Sequence, residues 1–165
     1  MNAIPEELAN ELGQRLGLAV DHGIIQSNVV AHTGASGFHR LANQAAFDGA
    51  VVRGRSYVLV DDFVGQGGTL ANLRGFLIDG GGHVVGATAL TGKPFSSILA
   101  PTNDKLSALR AKHGQDLETW WLDRFGHAFD CLTQSEARYL ERTLDADTIR
   151  TRIAAAEQAG AGSAV

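Results

Sequence analysis

The 165-residue chain holds 14 basic and 18 acidic residues, a formal net charge of −4. That balance gives no support to a sequence-independent nucleic-acid binder, and no apolar run approaches a membrane span. A single cysteine, Cys131, rules out an internal disulfide, and acids in Met1 to Asn10 are unlike a signal peptide, so the expected location is the cytoplasm.

Hydrophobic content of 44% and charged content of 19% fit a soluble globular protein. The length suits one domain with a real core rather than two. Glu6 to Leu16 predicts a covering helix, with Leu8, Leu12 and Leu16 on one face and Gly17 as its stop. Leu18 to Ile25 reads as a short extended piece. Val29-Val30-Ala31 reads as a core strand running into the loop His32 to Arg40. A small, polar, glycine-bearing loop after a strand suits an anion. Two histidines, His32 and His39, without a third ligand nearby read as loop or core residues. Leu41 to Ser56 is less regular. Phe47 anchors it, Asp48-Gly49 marks a turn, and Val51-Val52 suggests a short strand.

Tyr57 to Thr69 is the stretch around which the chain is organised. Tyr57 to Val60 is an apolar run that predicts a strand covered on both faces. Asp61 and Asp62 fall where that strand should end, the edge at which open α/β sheets bind ligands. Gly65, Gly67 and Gly68 allow a tight turn and close backbone approach. Thr69 is placed to cap a helix from Leu70 to Asp79. Amides in such a loop, backed by a helix N-terminus, favour a phosphate. Acids beside a phosphate cradle call for a ligand with hydroxyls at its other end, and a sugar phosphate has both. No lysine follows for a P-loop. Nor does the Gly65 to Leu70 stretch give GxGxxG with an acid about 20 residues later.

Gly80-Gly81-Gly82 ends the helix, and His83 to Leu90 reads as a second strand. Strand, helix, strand with short links predicts a parallel pair. Lys93 and Phe95 close it at the same sheet edge. Lys93 is either a ligand-facing cation or a surface lysine, and Phe95 either stacks on a planar acceptor or packs. From Pro101 the pattern turns helical. Helices are expected over Asp104 to His113, over Asp116 to Phe125 with Asp116 as cap, and from the capping box Thr133 to Glu136 on to about Arg142. Asp145 or Asp147 caps a last helix ending near Gly160. Trp120 and Trp121 point about 100° apart, so at most one faces the core.

Val58 to Thr69 resembles the signature of type I phosphoribosyltransferases: an apolar strand, two acids, two apolar residues, and a small-residue loop ending Gly-Gly-Thr. The resemblance implies an α/β fold, a single-domain parallel-sheet, Rossmann-like core over residues 1–100. The helices over 101–160 would then be a hood on that core, with 161–165 a tail. It implies that Asp61 and Asp62 hold the ribose hydroxyls of phosphoribosyl pyrophosphate (PRPP), and that Val64, Gly65, Gln66, Gly67, Gly68 and Thr69 bind its 5′-phosphate. Thr33, Gly34 and Arg40 would take the pyrophosphate. Arg40 is equally well read as a surface ion pair, and Arg53 and Arg55 are either further pyrophosphate contacts or solvated turn residues.

On that resemblance the activity expected is transfer of ribose 5-phosphate from PRPP to a nitrogenous acceptor. Mg²⁺ would be held through PRPP with help from Asp61 and Asp62, and Asp61, Asp62 and Arg40 would carry catalysis. Many relatives in that family dimerise, so a homodimer is compatible. The chain departs from the family at Gly65 and Gln66, where many members have hydroxyl residues or an aspartate base. The lack of an acid at Gly65 argues against the hypoxanthine–guanine type. The alternative is a regulatory or sensor module that binds phosphoribosyl compounds without turnover.

Overall fold

A computed structural model describes residues 3–28, 36–93 and 96–161. The expected strand Val29 to Ala31, His32, Thr33, Gly34, Phe95 and the last tail residues lie outside them. The fold is mixed α/β. Helix α1 (Ala3–Leu16) is followed by strand β1 (Ile25–Gln26), helix α2 (Gly37–Ala42) and strand β2 (Phe47–Asp48). Then come β3 (Ser56–Val64), α3 (Gly68–Asp79) and β4 (His83–Gly92). Four helices complete the chain: α4 (Asn103–His113), α5 (Gln115–Phe125), α6 (Gln134–Arg142) and α7 (Ala146–Ala161), with a 3₁₀ turn at Phe129–Cys131.

The strand–helix–strand unit forms as the spacing predicts. β3 and β4 pair in parallel, with Leu59 opposite Ala87 and Asp61 opposite Ala89. Among the described residues this is the one parallel pair, and β1 with β2 makes a separate two-stranded antiparallel sheet. Val51-Val52 is not a strand; the pairing falls at Phe47–Asp48 instead, with Ile25 opposite Asp48. Position 49 suits only glycine, because φ is +131° and a Cβ would strike the Gly23 carbonyl.

β3 differs from expectation in two ways. It does not stop at the acids but runs through them to Val64, because the ladder with β4 continues past Asp61. It is also not covered on both faces. Tyr57 and Leu59 are buried against Leu70 and Leu77 of α3, whereas Val58 is 49% exposed. On β4, Val85 and Leu90 are 65% and 62% exposed.

A second core lies in the helices. Leu109, Leu117, Trp121, Phe129, Leu132, Ala137, Leu140, Ile149 and Ile153 are buried together. Phe38 and Leu41 of α2 join them, so the six-residue helix near position 40 packs with the C-terminal helices rather than with the sheet. Its first four residues fall in the stretch expected to be loop; Ser36 caps it by accepting from the His39 amide. Of the paired tryptophans, Trp121 is the buried one, while Trp120 lies under the guanidinium groups of Arg124 and Arg150. Thr102, not a residue within α4, caps α4, and Gly114 rather than Asp116 precedes α5. Asp145 caps α7 through the Thr148 amide at 2.7 Å. Among the described residues no helix is long and apolar enough to cross a membrane.

Candidate functional site

β3 brings Asp61 and Asp62 into the wall of a cleft of about 510 Å³. That size is within the usual range for a small-molecule site. The same cleft is walled by Val64, Gly65, Gln66, Gly67, Gly68 and Thr69, and by Arg40 from α2. The two aspartates, the glycine loop and Arg40 therefore meet in one place, although Arg40 lies 21 or more positions upstream of them.

The loop is built by its glycines. Gly67 has φ of +84° and is the N-cap residue of α3, which opens without a side-chain cap. Thr69 is thus not the cap; the left-handed turn at Gly67 starts the helix two residues earlier than expected, at Gly68. First-turn amides without a capping side chain turn their hydrogens towards whatever lies in front, which is the arrangement that draws an anion. A Cβ at Gly65 would collide with Nη1 of Arg40, so glycine there lets the guanidinium lie against the loop. A Cβ at Gly68 would sit 2.5 Å from Oε1 of Glu136. The side-chain carbonyl of Gln66 is buried in the wall with no donor among the described residues. A ligand hydroxyl would satisfy it.

Asp61 is held in an unusual state. Burial, first of all, pushes its carboxyl up to about 6, and the neighbouring Asp62 adds to this. The Asp62 and Phe63 amides pull the other way, the former donating to Oδ1 of Asp61 at 2.8 Å. A partly buried carboxylate is a strong acceptor for ligand hydroxyls. It also has a consequence for the free protein. Because the folded value exceeds the unfolded 3.8, Asp61 supports the fold fully below that pH and ceases to as pH rises through about 6. Asp61→Asn should therefore raise the melting temperature at pH 8, and the gain should disappear by pH 4. Thermal melts at the two pH values check this; an equal shift at both would contradict it.

Sequence reasoning missed the far walls. Thr133 and Glu136 were read only as a capping box, and the box is present, Thr133 N–H donating to Oε2 of Glu136 at 2.8 Å. What the spacing could not show is that this box docks on the glycine loop. The Thr133 hydroxyl donates to the Gln66 carbonyl at 2.7 Å, and Glu136 lines the cleft. Gln44 and Asn72 form another wall, the Asn72 amide donating to Oε1 of Gln44 at 3.0 Å, with His127 beyond at 3.3 Å. No local pattern marks either carboxamide. Lys93 is exposed at the end of β4 and is not part of the cleft wall, though its N–H donates to the Val64 carbonyl at 2.9 Å. Arg55 pairs with Asp21 at 3.7 Å and the Arg53 stem lies over Gly81, so neither joins the cleft. Among the described residues no three His, Cys, Asp or Glu side chains converge as a metal cage.

Over 155 residues, 94% of its length, the chain is 42% identical to Protein TraN of Escherichia coli. Over 77 residues, 47% of its length, it is 43% identical to an uncharacterized protein of Haemophilus influenzae. The chain spans 35% of the first relative and 17% of the second, so both are much longer. No family model matches the chain. No solved structure matches it.

Proposed function

We propose that the chain is a phosphoribosyltransferase domain that binds PRPP and transfers its ribose 5-phosphate to a nitrogenous, base-like acceptor, releasing pyrophosphate. One observation carries this reading: the acid pair and the amide-lined glycine loop wall the same cleft, with the Arg40 guanidinium lying against Gly65 of that loop. Asp61 and Asp62 would accept from the ribose hydroxyls. The loop amides and the α3 N-terminus would take the 5′-phosphate, and Arg40 the leaving group. Catalysis would then come from positioning and from charge placed where the pyrophosphate departs. No protein nucleophile is required.

Mg²⁺ fits this donor set. Two carboxylates without a third ligand cannot cage the ion, but they can complete the shell of one carried in by phosphate oxygens. When bound, the ion would offset the charge of the pyrophosphate. Calorimetric titration with PRPP, with and without Mg²⁺, tests binding. Micromolar or tighter Mg²⁺-dependent binding is expected, and its absence would sink the proposal. Pyrophosphate release over a panel of nucleobases tests transfer.

A second reading has one observation in its favour. Among the described residues the cleft wall carries a single cationic side chain, Arg40, against the three acids Asp61, Asp62 and Glu136. That is little positive charge for a departing pyrophosphate. It would suit a module that binds phosphoribosyl compounds as a signal and does not turn them over. PRPP binding without pyrophosphate release from any acceptor would decide for it.

A further inference from the structure

We infer that Glu136 takes up a proton when an anion settles against the Gly65–Thr69 amides, so that phosphate binding and neutralisation of Glu136 are one event. The inference rests on the phosphate role proposed for that loop. Glu136 stands on the first turn of α6, nine-tenths buried, and lines the cleft. Its Oε2 accepts from the Thr133 amide, which fixes the carboxyl group. Its Oε1 is turned to Gly68, the first residue of α3, where the helix amides open. A carboxylate there competes with a phosphate for the same field. A neutral carboxylic acid instead has an O–H to donate to a phosphate oxygen. The proton comes from solvent and adds to Oε1; no other bond changes.

The surroundings lower the cost of adding that proton. Among the described residues Glu136 makes no salt bridge. Burial raises its carboxyl above the ordinary range, opposed only by the amide and hydroxyl of Thr133. Asp61 and Asp62 from β3 and Arg40 from α2 are the other charged groups of the cleft wall. His39, the other titratable group of α2, lies beside Asn43. α3 meets Glu136 with the uncharged Gly68. From α4, Lys105 and Lys112 are held at Glu141 and His113 at the Leu140 carbonyl, all towards the other end of α6. Arg138, Glu141 and Arg142 are the charged groups of α6 itself.

Ribose 5-phosphate is the probe. At pH 8 its phosphate is fully ionised, so protons taken up on binding belong to the protein. Calorimetry in two buffers of different ionisation enthalpy counts them. The native chain should take up about one more proton per ligand than Glu136→Gln, and its affinity should fall roughly tenfold per pH unit where the variant's stays flat. Glutamine serves a capping box as glutamate does, so the variant should fold, and a thermal melt verifies it. Equal proton uptake in the two proteins, with both binding, overturns the inference and leaves the phosphate reading standing. Binding by the variant alone also overturns it, since Glu136 would then exclude the anion outright. Binding by neither removes the phosphate reading itself, and this inference with it.

Discussion

Asp61→Asn combined with Asp62→Asn should weaken PRPP binding by roughly a hundredfold or more while the protein stays folded. Hydrogen bonds to a charged partner contribute about 1.5–3 kcal/mol each, and two such contacts are at stake. Asparagine keeps one oxygen acceptor, so the loss comes chiefly from charge and from the oxygen replaced by an amide donor. Shape is preserved, and burial disfavours the Asp61 charge, so the double variant has no reason to unfold. Titration with PRPP in excess Mg²⁺ reads the effect. Unchanged affinity would mean that the ligand, if any, does not reach these carboxylates. A chain that never bound PRPP would show no loss at all.

Trp121→Ala should be the most damaging single change to the fold. The indole has no exposure and packs on Phe125, with ring centroids 4.4 Å apart, and on Phe129 at 5.8 Å. Removing so large a buried side chain costs about 3–5 kcal/mol. For a chain of this size that corresponds to a fall of roughly 10 °C in melting temperature. Trp121→Phe should cost much less, since it keeps most of the ring and deletes an indole N–H that is buried with no acceptor among the described residues. Trp120→Ala should be mild, because that ring is only partly covered, lying under the guanidinium groups of Arg124 and Arg150 and at 6.5 Å from the Phe125 ring. Urea unfolding of the three variants ranks them. Trp120→Ala as damaging as Trp121→Ala would contradict the packing described.

How far the sequence could be read follows from the range of each signal. The capping box at Thr133 and Glu136, the glycine stop after Asp79 and the β3–α3–β4 unit are short-range patterns, and each forms, the unit with shifted element ends. The start of α3 was misplaced because a serine or threonine is the usual cap, whereas here a left-handed glycine does that work. β3 was ended too early because aspartates rarely sit in strands; the neighbouring β4 backbone keeps them there. α2 is six residues long and begins with glycine, so its periodicity is too brief to detect. In the cleft, the acid pair and the glycines were legible as one contiguous motif. Gln44 and Glu136 were not, since each is brought in by chain packing from a distant position, and Asn72, one turn into α3, carries no local pattern that marks it.

The hydroxyl of Thr133 holds a carbonyl 67 positions away, just before the left-handed Gly67 of the glycine turn. The shape of that turn is therefore not a property of its own dozen residues. Transplanted into another scaffold, the motif would arrive without its brace. A lesion deep in the C-terminal bundle would in turn surface as a distortion of the glycine turn, far from where the damage was done.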